Sequence, residues 1–98
     1  MKLTKKEEKE CLNAIQACLG LILTESQLDS LLKEHPDVIG EIKYWGINDT
    51  LCEEKVMNMI SRNLLNKTVP TYGDKLDSDA FFEELNCAAK KNGYKTSS

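Results

Sequence analysis

Apolar side chains recur at intervals of three and four along most of the chain, and most of these stretches open on a helix-capping signature. Thr4-Lys-Lys-Glu7 has the form of a capping box, in which the threonine hydroxyl and the glutamate each satisfy a backbone amide left free at a helix start. Leu12, Ile15, Leu19 and Ile22 follow, with Cys11, Ala14 and Cys18 widening the stripe, so a first helix is predicted from Thr4. Ala17 to Leu23 contains no polar residue. A helix end that is apolar all round needs cover on several sides, from its own chain or from a second copy in a homodimer.

Thr24-Glu-Ser-Gln27 repeats the capping box and predicts a short helix with Leu28, Leu31 and Leu32 on one face. Pro36 ends it, because the residue before a proline is pushed out of helical angles. Pro36 and Asp37 suit the first turn of a third helix whose apolar side is Val38, Ile39, Ile42 and Trp45. Gly46 followed by Ile47 predicts a left-handed glycine cap. Thr50-Leu-Cys-Glu53 is a third capping box, and Cys52, Val56, Met59, Ile60 and Leu64 trace one face of a fourth helix.

Asn66, Pro70, Gly73 and Asp74 break the pattern and predict a longer loop near residues 66–77, with an extended piece at Thr68 to Tyr72. A last helix, capped by Asp77 or Ser78, carries Phe81, Phe82, Leu85, Ala88 and Ala89 inward and ends at Gly93, with Tyr94 packing back. The chain thus reads as all-α: a compact single-domain bundle of about five helices over residues 1–98, with 1–3 and 95–98 frayed. At 98 residues there is enough chain for one core and too little for two.

Charge refines this picture. The net charge is -3, but residues 1–9 carry four lysines against two glutamates and residues 90–98 carry three lysines, so the remainder holds -8. Only Arg62 supplies a guanidinium, the group that phosphate clamps and base contacts favour. An acidic body is a poor fit to nucleic acid and a good one to a basic protein. Cys11, Cys18, Cys52 and Cys87 form no CxxC pair, and seven residues along one helix separate Cys11 and Cys18 by about 10.5 Å, too far for a disulfide. Reduced, mostly buried thiols are expected, in a cytoplasmic setting. No signal peptide and no membrane span is read in the sequence.

The chemistry-bearing residues do not converge. His35 is the only histidine and precedes a proline at a helix junction, where a capping or surface place is expected. The cysteines lack the short spacing of a metal knuckle, and the five glycines are scattered rather than grouped as a phosphate loop. Asp74, Asp77, Asp79 and Glu83 are the densest acidic cluster, but Asp77-Ser-Asp79-Ala-Phe81 puts phenylalanine where a calcium loop needs an oxygen ligand. A non-enzymatic chain with no metal and no cofactor is expected. Residues 37–65 have the helix, glycine turn and helix of a DNA-binding helix-turn-helix, the main alternative, although the second helix opens with Asp49, Glu53 and Glu54.

Glu34-His-Pro36 followed by Tyr44-Trp45, together with Asn92-Gly-Tyr-Lys95 after a last helix, resembles pieces of the small acidic immunity proteins that neutralise nuclease bacteriocins. The resemblance covers about a quarter of the chain. It departs from that family in a long helix at 50–65 and in lacking Tyr-Tyr-Pro. It implies a small acidic helical domain that blocks a basic enzyme surface through charge steering and a few aromatic anchors. The expected function is accordingly that of a small acidic protein-binding module, an inhibitor, immunity factor or adaptor for a basic protein partner. Its expected partner surface is Tyr72 with Asp74, Asp77 and Asp79, an aromatic anchor in an acidic rim.

Overall fold

In the computed structural model, which describes residues 2–68 and 78–97 and leaves the side chains of 78 and 79 outside that description, local capping sets most helix boundaries. Thr4 Oγ1 accepts from the Glu7 amide while Glu7 Oε1 accepts from the Thr4 amide, opening α1 (Lys5–Leu19). Thr24 and Gln27 do the same for α2 (Glu25–Glu34). Pro36 stands in the first turn of α3 (Pro36–Trp45). The third capping box is not made. Asp49 caps α4 (Thr50–Leu65) instead, its Oδ1 accepting from the Leu51 amide at 2.9 Å, which makes Thr50 the first helical residue. The aspartate carboxylate, on the residue before Thr50, accepts from the free amide two residues on.

The fifth helix, α5 (Ser78–Lys91), ends in a Schellman turn: Tyr94 donates its amide to the Ala89 carbonyl at 2.9 Å and Gly93 to Lys90 at 3.2 Å, with Gly93 at φ 83°. Tyr94 packs back on the core, as its place after the glycine predicts. All five expected helices are present among the described residues, and the fold is all-α with one small addition.

That addition corrects the reading of residues 17–23 and 95–98. The first helix stops at Leu19, and Gly20 takes left-handed angles, φ 70° and ψ 18°. The chain then runs as β1 (Leu21–Ile22), paired antiparallel with β2 (Lys95–Thr96) in the register Leu21 to Thr96 and Ile22 to Lys95. Residues 95 and 96, expected to fray, are therefore hydrogen-bonded, and Ser97 continues the contact by donating its amide to the Gly20 carbonyl at 2.8 Å. Side chains alternate across a strand, so Leu21 and Leu23 are buried while Ile22 faces out. The segment is not a helix apolar all round, and its own chain covers it. This removes the reason for a homodimer at that end.

The core is one cluster. Helix α4 packs against α1, α3 and α5, burying Cys52, Val56, Met57, Met59 and Ile60. Leu21, Leu28, Ile15 and Leu85 are fully enclosed around it. Ser61 is the one fully buried polar side chain on α4, and its hydroxyl donates to the Lys67 carbonyl at 2.7 Å, tying down the chain that leaves the helix after Asn66.

Candidate functional site

The structure does not gather the expected partner surface into view. Tyr72, Asp74 and Asp77 lie outside the described residues, and for Asp79 only its backbone, in the first turn of α5, is described. A different group of exposed residues stands at the junction of α3 and α4.

Helix α3 turns Val38, Ile39 and Ile42 inward. Its periodicity places Trp45 on the same side, but the helix ends there. Gly46, at φ 80° and ψ 150°, redirects the chain, and Ile47 rather than Trp45 is buried beyond the turn. The positive φ of Gly46 was expected; the extended ψ, which sends the chain on rather than curling it back, was not. Trp45 is left 49% exposed and Tyr44 79% exposed, their rings edge to face with centroids 4.7 Å apart. Leu51, in the first turn of α4 and off its inward stripe, is 56% exposed. Three of the four exposed large apolar side chains among the described residues thus fall between positions 44 and 51.

The surroundings are negative. Glu41 stands one turn before Trp45 on α3, Asp49 caps α4, and Glu53 and Glu54 follow in its first turns. The buried Cys52 thiol registers that field: burial pushes its pKa up first, then Glu41, Asp49 and Glu53 push it further, with Lys55 opposing. On α1, the Cys18 thiol is raised by burial and then by Glu53. The nearby lysines are engaged, Lys55 with Glu41 at 2.7 Å and Lys43 with Glu7 at 3.0 Å. Glu53 and Glu54 have no such cation among the described residues.

Among the described residues no group of three histidine, cysteine, aspartate or glutamate side chains could hold a metal ion. All four cysteines are free. Cys11 and Cys52 are buried as expected, and the Cys11 thiol is pushed up to about 12 by burial, then by Cys52 and Glu8. Cys18, expected on the core stripe, is exposed, as is Cys87, because α1 turns Cys11, Ala14, Ile15 and Leu19 inward and leaves Cys18 beside that face. His35 joins α2 to α3, donating its backbone amide to the Leu32 carbonyl with no side-chain cap bond, so its expected place at a helix junction is where it is found.

A family model described as a domain of unknown function (DUF8308) matches residues 1–98. The chain belongs to that family. DUF8308 is thereby the family of the whole fold described above, from the residues before α1 to the β1–β2 ladder. No curated protein and no solved structure matches the chain.

The sequence reading singled out Tyr44-Trp45 only as part of a resemblance and missed that Tyr44, Trp45 and Leu51 are all exposed. Two signals pointed there. Tyr44 falls off the Val38, Ile39 and Ile42 stripe, and Leu51 falls off the Cys52, Val56 and Met59 stripe. A large apolar residue that the helical period turns away from the core has no packing reason to be large.

Proposed function

We propose that this protein is a small non-enzymatic module that binds a basic protein partner, in the manner of an inhibitor, immunity factor or adaptor, through the junction of α3 and α4. The observation that carries the reading is the exposed edge-to-face pair of Tyr44 and Trp45 at a helix junction whose two helices also carry Glu41, Asp49, Glu53 and Glu54. Aromatic side chains bury large area at little entropic cost and dominate interface energies, and their faces attract ammonium and guanidinium groups. The surrounding carboxylates speed encounter with a positive surface. The expected surface of Tyr72, Asp74, Asp77 and Asp79 lies outside the described residues, apart from the Asp79 backbone, and stays a separate candidate.

The helix-turn-helix alternative is weaker on the same geometry. A recognition helix must present one face to a DNA groove. Helix α4 leaves one face exposed, but it opens with Asp49, Glu53 and Glu54. Phosphates would meet the wrong sign.

The test compares wild type with Tyr44→Ala/Trp45→Ala in affinity capture, followed by calorimetry on the proteins recovered by wild type alone. A basic partner whose affinity falls by about 30-fold or more in a folded double variant, and falls with added salt, supports the reading. Equal capture by both proteins refutes this surface. Anisotropy with mixed duplex DNA decides the alternative: a dissociation constant tighter than about 1 µM with a steep salt slope moves DNA binding to first place.

A further inference from the structure

Of all the asparagines in the chain only Asn92 is followed by glycine. Glycine has no side chain to shield its amide nitrogen, so in this pair that nitrogen can reach the preceding side-chain carbonyl carbon without a steric penalty. Asn92 is exposed and stands in the turn that closes α5.

The turn occupies both groups. Asn92 donates its side-chain amide to the Ala88 carbonyl at 2.7 Å, back along the helix. Gly93 has its own amide committed to the Lys90 carbonyl at 3.2 Å, and Tyr94 closes the motif through Ala89 at 2.9 Å. The turn is also fastened from outside: the Gly93 carbonyl accepts from Gln27 Nε2 at 3.4 Å, Tyr94 packs on the core, and residues 95 and 96 pair with β1. These fastenings are few and lie at the surface. A segment held in that way opens far more readily than the core does.

We propose that Asn92 is a site of spontaneous, irreversible modification, deamidation to aspartate and isoaspartate, which the Schellman turn holds in check and the opening of the β1–β2 ladder permits. On opening, the Gly93 amide loses its proton to hydroxide and its nitrogen bonds to the Asn92 side-chain carbonyl carbon. The bond from that carbon to the side-chain nitrogen breaks, and the nitrogen leaves as ammonia with a proton taken from water. Water then adds to either carbonyl of the cyclic imide. One route gives aspartate and the other isoaspartate, whose backbone runs through the former side chain.

Neither product fits the turn. A carboxylate has no N–H to give the Ala88 carbonyl, and it adds negative charge where the helix dipole is already negative, which Lys90 and Lys91 offset only in part. Isoaspartate also inserts a methylene into the backbone ahead of Gly93, so the amides of Gly93 and Tyr94 lose register with Lys90 and Ala89. The modified chain thus keeps open the ladder whose opening admitted the reaction.

The test follows the full chain in mildly alkaline buffer by peptide mapping with mass spectrometry, which reads the conversion of amide to acid at Asn92. Each protein's folded rate is divided by its own rate in urea, which removes the intrinsic reactivity of the pair. Wild type should convert at least about tenfold more slowly folded than in urea. Ser97→Pro deletes the amide donated to the Gly20 carbonyl without touching the pair, and Tyr94→Ala removes the packing on the core; each should raise the folded-to-unfolded ratio at least about threefold. Should Tyr94→Ala fail to fold, Ser97→Pro decides alone. In Asn92→Asp the Ser97 amide should exchange with solvent at least about fivefold faster while circular dichroism keeps its helical signal. Folded wild type that converts as fast as in urea would show that the turn holds nothing in check, and overturns the proposal. A ratio unchanged in folded Ser97→Pro, or an Asn92 that reacts no faster than the other asparagines in urea, overturns it equally. The outcome is independent of the surface at Tyr44 and Trp45.

Discussion

Replacing Gly20 by alanine separates two structures of the α1 terminus by the sign of a stability change. If the apolar run to Leu23 continued the helix, Gly20 would be an interior helical residue, and alanine would stabilise by about 0.5–1 kcal/mol. In the structure Gly20 has φ 70°, where a β-carbon costs about 1–2 kcal/mol. The new methyl group would also stand 3.2 Å from Ser97 Oγ, which now donates to the Gly20 carbonyl. That oxygen is the end of a flexible, exposed side chain, so its displacement adds only a few tenths of a kcal/mol. Alanine lowers the entropy of the unfolded chain and offsets part of this, by about 0.4–1 kcal/mol. The net expectation is a loss of about 1 kcal/mol, or about 4–8 °C in Tm for a domain of this size. Thermal unfolding by circular dichroism, with urea melts for the free energy, measures it. Gly20→Asn should lose less, since asparagine tolerates left-handed angles. An unchanged or higher Tm in Gly20→Ala would refute the left-handed cap and, with it, the ladder built on it.

Three further outcomes are expected. A bulky thiol reagent should titrate Cys18 and Cys87 rapidly in the native protein and reach Cys11 and Cys52 only on unfolding; four fast thiols would contradict the packing of α1 on α4. Ser61→Ala should cost about 0.5–1.5 kcal/mol in urea melts, because it removes the hydrogen bond from the buried Ser61 hydroxyl to the Lys67 carbonyl, whereas an unchanged midpoint would mean that water replaces the hydroxyl freely. Because burial, then Asp29 and Glu25, raise the folded pKa of Glu8, its stabilising contribution is complete below the ordinary glutamate value of 4.5 and is lost as the pH rises through the raised one. Glu8→Gln should therefore raise Tm at neutral pH and change it little in acid, and the reverse dependence would show that Glu8 is charged and paired.

The helices were legible because their signals are local. Thr4 with Glu7 and Thr24 with Gln27 make reciprocal bonds that need nothing from the rest of the fold, and Pro36 and Gly93 act through their own backbone. Leu21, Ile22 and Leu23 were harder. Three apolar residues in a row fit a buried helix end as well as a short strand, and the choice is made by a partner at residues 95 and 96. The site was less legible than the fold for the same reason. Helical period alone turns Trp45 inward, and only the break at Gly46, with Ile47 buried after it, decides that the indole stays out. Glu8 follows the same logic: nothing in Lys-Glu-Glu-Lys says which of the two glutamates α2 will cover.

The two-residue ladder also orders the folding of the chain in time. It joins positions 21 and 96, 75 residues apart in a chain of 98. Closing a flexible loop of that length costs about 4 kcal/mol in chain entropy, while each hydrogen bond of the ladder returns only about 1 kcal/mol. So short a ladder cannot draw the two segments together. It can form only once α1, α4 and α5 have packed and brought Gly20 and Tyr94 to the same side, which makes it a late event and a poor nucleus. Its amide protons thus report the arrival of the finished fold: they gain protection last during refolding, and a variant that leaves α5 undocked exposes them while the helices persist.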